Sequence, residues 1–176
     1  MLFFQKMNIN IREFEHTDAS DLLHLIVNFE REVEYQRLST VALHAANYMV
    51  DELVSGSARA WVIQNGQVSK GNLVGYTSTR EHQHNLDEFR QAGDVEIEQT
   101  YLLPTFRGIG LGLRLQKHVI DELEYEGETE EIVSIVESVT EREQISKIKL
   151  ATGWQRVGHY DSGDRRYNVM RKRFYE

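Results

Sequence analysis

The sequence predicts a mixed α/β fold in one domain of seven strands and four helices. Three observations lead there. The apolar period switches repeatedly between two and 3.6 residues, the elements read β-α-α-β-β-β-α-β-α-β-β, and no linker, repeat or low-complexity stretch breaks the series. A chain of 176 residues, 40% apolar and 27% charged, can bury a sizeable core as a single domain. Residues 1–7, MLFFQKM, are expected to be a short extension ahead of a domain covering 8–176, being too short for a signal-peptide core.

Each element has its own local reason. In NINIREFE (8–15) Ile9, Ile11 and Phe14 face inward from a strand. HTDASDLLHLIVNFEREV (16–33) carries a helical stripe of Leu22, Leu25, Ile26 and Phe29, with Thr17 or Asp18 as cap. STVALHAANYMVDELVSG (39–56) is a second helix, capped by Ser39 or Thr40 and stopped by Gly56. Residues 58–81 form two strands joined by a turn-rich segment containing Asn65-Gly66, and 81–93 a mobile connection or short helix. A strand over 94–103 and a helix over 108–126 follow, then the acidic loop EYEGETEE. EIVSIVES (131–138) is a buried-type strand, 140–153 a helix ending at Gly153, and WQRVGHYD with RRYNVMRKRF a closing hairpin.

Composition removes several function classes. Cysteine is absent, which excludes disulfides and thiolate metal sites and fits a cytoplasmic setting. No apolar run has the length of a membrane span. A formal net charge of −8 disfavours nucleic-acid or anionic-membrane binding and is compatible with an amine substrate. The basic tail reads as a strand with its cations on the solvent face. His82 and His84 read as a solvated loop without a third metal ligand, so no metal is expected.

The chemically loaded stretch is VEIEQTYLLPTFRGIGLGLRLQKHVIDEL, residues 95–123. Gly108, Gly110 and Gly112, preceded by Arg107, stand where a strand passes into a helix whose Leu111, Leu115, Val119 and Leu123 recur at i+4. Unpaired N–H groups at a helix start bind anions, and glycines let a ligand approach them. The P-loop ending Gly-Lys-Ser/Thr is absent. The dinucleotide pattern would need glycine at Leu113 or Leu115.

LLPTFRGIGLGLRL resembles motif A of the GNAT acyltransferases, Q/R-x-x-G-x-G/A, through Arg107, Gly110 and Gly112, with Leu102 and Pro104 at the family's preceding positions. NINIREFEHTDASDLLHL, the strand pair after Trp61 and IKLATGWQRVGHYD resemble the family's other segments in order, so the likeness spans about residues 8–174. The resemblance implies a GNAT-like fold, with a mostly antiparallel mixed sheet and a V-shaped splay between strands four and five. It implies acetyl-CoA as cosubstrate. The pyrophosphate would lie on the amides of Arg107, Gly108, Ile109, Gly110, Leu111 and Gly112, and the pantetheine arm beside Thr100, Tyr101 and Leu102. The activity implied is N-acetyl transfer to a small-molecule or peptide amine by direct attack. A homodimer is compatible with the family. A non-catalytic acyl-CoA-binding domain of the same fold is the alternative.

Glu96 and Glu98 project from one face of a regular strand. The family's glutamate base maps onto Glu96; Glu98 is second choice, and both could instead face solvent or meet a cationic substrate. Lys149 replaces the tyrosine that protonates the leaving thiolate in many relatives, and reads as a solvent-facing helix lysine. That leaves the acid open between water and Tyr160. Glu30, Glu32, Glu34 and Tyr35 read as a solvated helix face in the region that shapes acceptor pockets. Trp61 and Trp154 read as core or pocket wall.

Overall fold

The computed structural model describes residues 8–33, 39–66, 72–85, 87–88, 90–127, 129–137, 149–162 and 165–174. The elements are β1 (Ile9–Glu13), α1 (Ala19–Val33), α2 (Ser39–Ser55), β2 (Arg59–Asn65), β3 (Leu73–Glu81), β4 (Val95–Leu102), α3 (Leu111–Glu126), β5 (Glu131–Glu137), β6 (Gln155–Ser162) and β7 (Arg165–Arg173). The expected extension 1–7 and most of the expected helix 140–153 lie outside the described residues; its last residues, 149–151, are helical. Among the described residues the strands form one sheet in the order β1-β2-β3-β4-β5-β7-β6. The pairs β1–β2, β5–β7 and β6–β7 are antiparallel, whereas β4–β5 is parallel, so the sheet is mixed. No helix among the described residues is long and apolar enough to cross a membrane.

The chain packs as two compact units, one of residues 1–78 and 99–119, the other of 79–98 and 120–176. In the first, α1 contributes Leu22, Leu25 and Ile26 to an apolar cluster with Ala46, Met49 and Leu53 of α2, Val62 of β2, Tyr76 of β3 and Tyr101 of β4. The predicted stripe of α1 is thus the buried one. Chain entry into α1 differs from expectation: a 3-10 turn, His16–Asp18, precedes the helix. Asp18 accepts from the Glu15 N–H at 2.9 Å and from both terminal nitrogens of Arg12, at 2.6 and 2.8 Å, so its carboxylate closes the turn backwards. The side chains of Ser39 and Thr40 lie outside the described set.

The second unit has a more polar interior. Ile97, Leu123, Ile132, Val133, Trp154, Val169 and Met170 are buried, and so are Thr79, His82, Asp94, Glu96, Thr129, Ser134, Lys149 and Asn168. The final hairpin forms as expected, with Arg166 and Arg173 exposed, but β7 enters between β5 and β6, and that insertion corrects the reading of Arg171. Arg171 is not on a solvent face; it bonds Asp94 at 2.7 Å and also Glu131, with 16% of its side chain exposed. Segment 82–94 contains no helix among its described residues and is closed by hydrogen bonds from His82 N–H to Asp94 O (2.9 Å) and from Gly93 N–H to His82 O (2.8 Å).

Gly75 of β3 shows how closely two strands of the first unit approach. A Cβ there would lie 2.7 Å from the carbonyl oxygen of Tyr101 and would also strike the Leu102 side chain. Overpacking of this kind against backbone costs about 1–3 kcal/mol. Gly75→Ala is therefore expected to lower the urea midpoint with an unchanged m-value.

Candidate functional site

The strand-to-helix junction is built around two left-handed backbone positions. The 3-10 turn Pro104–Phe106 uses the Arg107 N–H, which donates to Pro104 O at 3.2 Å. Gly108 and Gly110 follow with φ of +75° and +83°. Nothing lies within 4 Å of a Cβ at either, so glycine is required there by conformation and not by crowding. α3 starts at Leu111, three residues later than predicted, because these left-handed turns must be completed first. The first bond into the helix runs from Arg114 N–H to Gly110 O, at 3.1 Å. Among the described residues, the N–H groups from Gly108 to Leu113 make no backbone hydrogen bond. Arg107 drops out of the expected amide cradle, since its own N–H is spent on the turn.

Arg107 also points its side chain elsewhere. Nε donates to Leu102 O at 2.8 Å, Nη2 lies 2.6 Å from Glu32 Oε2, and the guanidinium sits 5.2 Å from the Tyr101 ring centre. The Tyr101 hydroxyl donates to Glu32 Oε1 at 2.8 Å; burial, with Glu32, pushes it up to about 12. Glu32 is therefore a structural partner of the junction, more than a solvated charge. Glu34 and Tyr35 lie outside the described residues. Thr100 shares a 2.5 Å hydroxyl contact with Thr77 and accepts from Gln116 Nε2 at 3.3 Å.

The two carboxylates of β4 have different surroundings, both within the second unit. Glu96 is 7% exposed and takes His82 Nε2 on Oε2 at 2.8 Å, with Arg90 Nη1 at 3.9 Å from the same oxygen. Burial pushes its carboxyl above the ordinary range, against the opposing pull of His82 and Arg90. Glu98 is half-buried and bound by Arg80 Nε at 2.8 Å. His82 is not in a solvated loop, contrary to expectation, but 6% exposed. It is the functional candidate that local reading passed over. The pattern around it is polar, and the backbone bonds of His82 with Asp94 and Gly93, with its ring bond to Glu96, carry it under cover.

Comparison with known proteins places the family of the chain. The family model for the acetyltransferase (GNAT) family matches residues 20–144. The chain belongs to the GNAT acetyltransferase family. Its fold is shared by solved structures of low sequence identity. The PaiA N-acetyltransferase of Thermoplasma acidophilum, in complex with coenzyme A, is 13% identical over 95% of this chain and 99% of that one, with a TM-score of 0.65. The yncA protein of Salmonella typhimurium, with its cofactor acetyl-CoA, is 18% identical over 96% and 95%, with a TM-score of 0.68. The ribosomal-protein-alanine N-acetyltransferase of Brucella melitensis is 16% identical over 93% and 99%, with a TM-score of 0.67. A search of curated protein sequences gives no significant match.

Within this GNAT chain Lys149 stands differently from expectation. Tyr160 lies on β6 in register with Tyr167, and its side chain is outside the described set. Lys149 is not solvent-facing. It is 1% exposed, its Nζ lies 3.8 Å from the Trp154 ring centre, and it has no hydrogen-bond acceptor among the described residues. The turn closing its helix explains this, because the N–H groups of Thr152 and Trp154 both bond Lys149 O, at 2.9 and 3.0 Å, and so fold Trp154 back over the lysine. Trp61 and Trp154 are both buried, at 0% and 2% exposure.

Burial pushes the Lys149 ammonium from 10.5 down to about 7. Between those values the unfolded chain binds one more proton than the folded chain, so this group makes stability rise with pH from about 7 to 10. Lys149→Met is expected to abolish that rise and to add about 1–4 kcal/mol at pH 7, read by urea denaturation across the pH range.

Proposed function

We propose that the chain is an acetyl-CoA-dependent N-acetyltransferase acting on a primary amine. One observation carries the reading: in a GNAT chain, the amides from Gly108 to Leu113 meet no backbone acceptor among the described residues at the start of α3. Amides with the positive end of a helix behind them suit a pyrophosphate. The neighbouring β4 supports the same cosubstrate. Its register with β5 runs only from Val95↔Ile132 to Ile97↔Ser134, and an extended pantetheine arm suits the backbone further along, about Thr100 and Tyr101. Leu102 O is less suited, since Arg107 already occupies it.

The chemistry in this reading is direct. Glu96 takes a proton from the substrate ammonium, through water or by contact. The free amine then attacks the thioester carbonyl, the N–C bond forms as the C–S bond breaks, and the thiolate leaves as CoA after taking up a proton. Glu96 suits the base role better than Glu98: burial raises its proton affinity, whereas Glu98 is held by a permanent cation, Arg80. The acceptor amine belongs to one of the classes a GNAT fold accommodates, from polyamines and aminoglycosides to lysine and peptide N-termini.

Thermal melts with acetyl-CoA, ADP and NAD test the cosubstrate. Acetyl-CoA at 100 times its Kd is expected to add about 2.7 kcal/mol, with smaller shifts from the other two. Gly110→Val, which forces a β-branched residue to φ +83°, is expected to lose that shift. Thiol release from acetyl-CoA with spermidine, kanamycin, lysine and an alanine-initiated peptide tests the transfer. Stabilisation without thiol release would favour the acyl-CoA-binding alternative; no stabilisation by acetyl-CoA would overturn both.

A further inference from the structure

Segment 82–94 holds a histidine and an arginine against one buried carboxylate, and its folding is over-determined for a connection between strands. Asp87 takes Arg90 through Nε at 2.8 Å and Nη2 at 2.5 Å, which fixes the direction of the guanidinium. Asn85 Oδ1 accepts from Ala92 N–H and Asp94 Oδ2 from Gln91 N–H, both at 2.8 Å. Arg171 of β7 then anchors Asp94 itself. The product of these bonds is a short, dry contact between His82 Nε2 and Glu96 Oε2, with side-chain exposures of 5% and 9%. With Glu96 ionised, Nε2 must be the donor. Both contacts, from His82 Nε2 and Arg90 Nη1, fall on Oε2. Among the described residues no hydrogen bond reaches Oε1.

That division of labour has a chemical use. A buried carboxylate with no partner takes up a proton and is spent as a base. One bound on both oxygens by cations is a poor acceptor. One oxygen held and the other open keeps the group ionised, oriented and able to receive a proton. The charged groups facing Glu96 are His82 and Arg90 from segment 82–94 and Glu98 from β4; its register partner on β5 is the apolar Val133.

We propose that His82 is the positioning residue for Glu96, holding Oε2 so that Oε1 is presented, ionised, to the proton of the acceptor amine. The proposal rests on the reading of Glu96 as the base. His82 acts through Glu96 and touches no reacting atom itself.

The test uses the full-length protein and its His82→Gln, His82→Leu and Glu96→Gln variants, with unaltered thermal melts as the folding control. The Glu96 carboxyl carbon, assigned by its loss in Glu96→Gln, is titrated by 13C NMR across about pH 4 to 9. Thiol release is measured over the same range with whichever of the four panel amines turns over fastest. Removing a donor from an ionised carboxylate favours its protonated form, so His82→Leu should move the Glu96 midpoint and the acid limb of kcat to higher pH. Its kcat at pH 7 should fall about tenfold, with KM for acetyl-CoA unchanged. His82→Gln, which keeps an N–H donor, should recover part of both. A folded His82→Leu protein with the wild-type midpoint and acid limb would overturn the proposal and leave Glu96 as base intact. Full transfer by Glu96→Gln would instead sink the base reading, and the role of His82 with it. Should none of the four amines turn over, the carboxyl titration alone decides whether His82 holds the carboxylate.

Discussion

The parallel register of β4 with β5 lasts three residues, Val95 to Ile97, and much of the site follows from its brevity. Backbone groups removed from water must find partners. Past Ile97, polar side chains take over part of that work on β4. Thr77 Oγ1 donates to Gln99 O at 2.7 Å, and Arg107 Nε donates to Leu102 O at 2.8 Å. The strand then ends in a 3-10 turn and two left-handed glycines, and the amides that follow are left without backbone acceptors. A strand edge beside a run of free amides suits an extended ligand that carries phosphates at one end. The acetyl-CoA reading draws its strength from that combination more than from either part alone.

Arginine does a second kind of work here. Although the chain is acidic overall, with formal charge −8, several of its described arginines reach carboxylates at structural corners: Arg12 at Asp18, Arg80 at Glu98, Arg90 at Asp87, Arg107 at Glu32 and Arg171 at Asp94. Planar guanidinium forks suit such fixed geometry. The consequence for β4 is a sorting of two glutamates only two residues apart. Glu98 receives an arginine and a partly open setting; Glu96 receives a histidine and a dry one. Chemically equal groups on one strand thereby acquire unequal surroundings, and burial raises the proton affinity of Glu96.

Local pattern made most of the fold legible and little of the site's supporting shell. The stripes Leu22–Leu25–Ile26 and Leu111–Leu115–Val119–Leu123 are buried as their spacing predicts, since helical periodicity encodes a face directly. Glycines at a strand-to-helix boundary were equally legible, because positive φ restricts residue choice. What stayed hidden depends on contacts distant in sequence or on a turn's closure. The insertion of β7 between β5 and β6 turns the apparent solvent face of Arg171 into an ion-pair site. The fold of 82–94 brings His82 to Glu96, fourteen residues along the chain. Trp154 closes over Lys149 only once the turn after residue 151 is made.

Lys149 and Glu96 are best understood together. Both are buried in the second unit, and desolvation acts on each against its charged form, raising the carboxyl and lowering the ammonium. Their compensation differs. Glu96 has a hydrogen-bonded histidine and a nearby arginine, whereas among the described residues Lys149 has the face of Trp154, an attraction that favours its charged form without accepting a proton or a hydrogen bond. Folding therefore leaves a carboxylate whose charge is supported and an ammonium whose charge is nearly unsupported. The acidic and basic extremes of the titration range are drawn inward from both sides. Burial without full neutralisation is how this chain obtains groups whose proton affinities depart from those of exposed side chains.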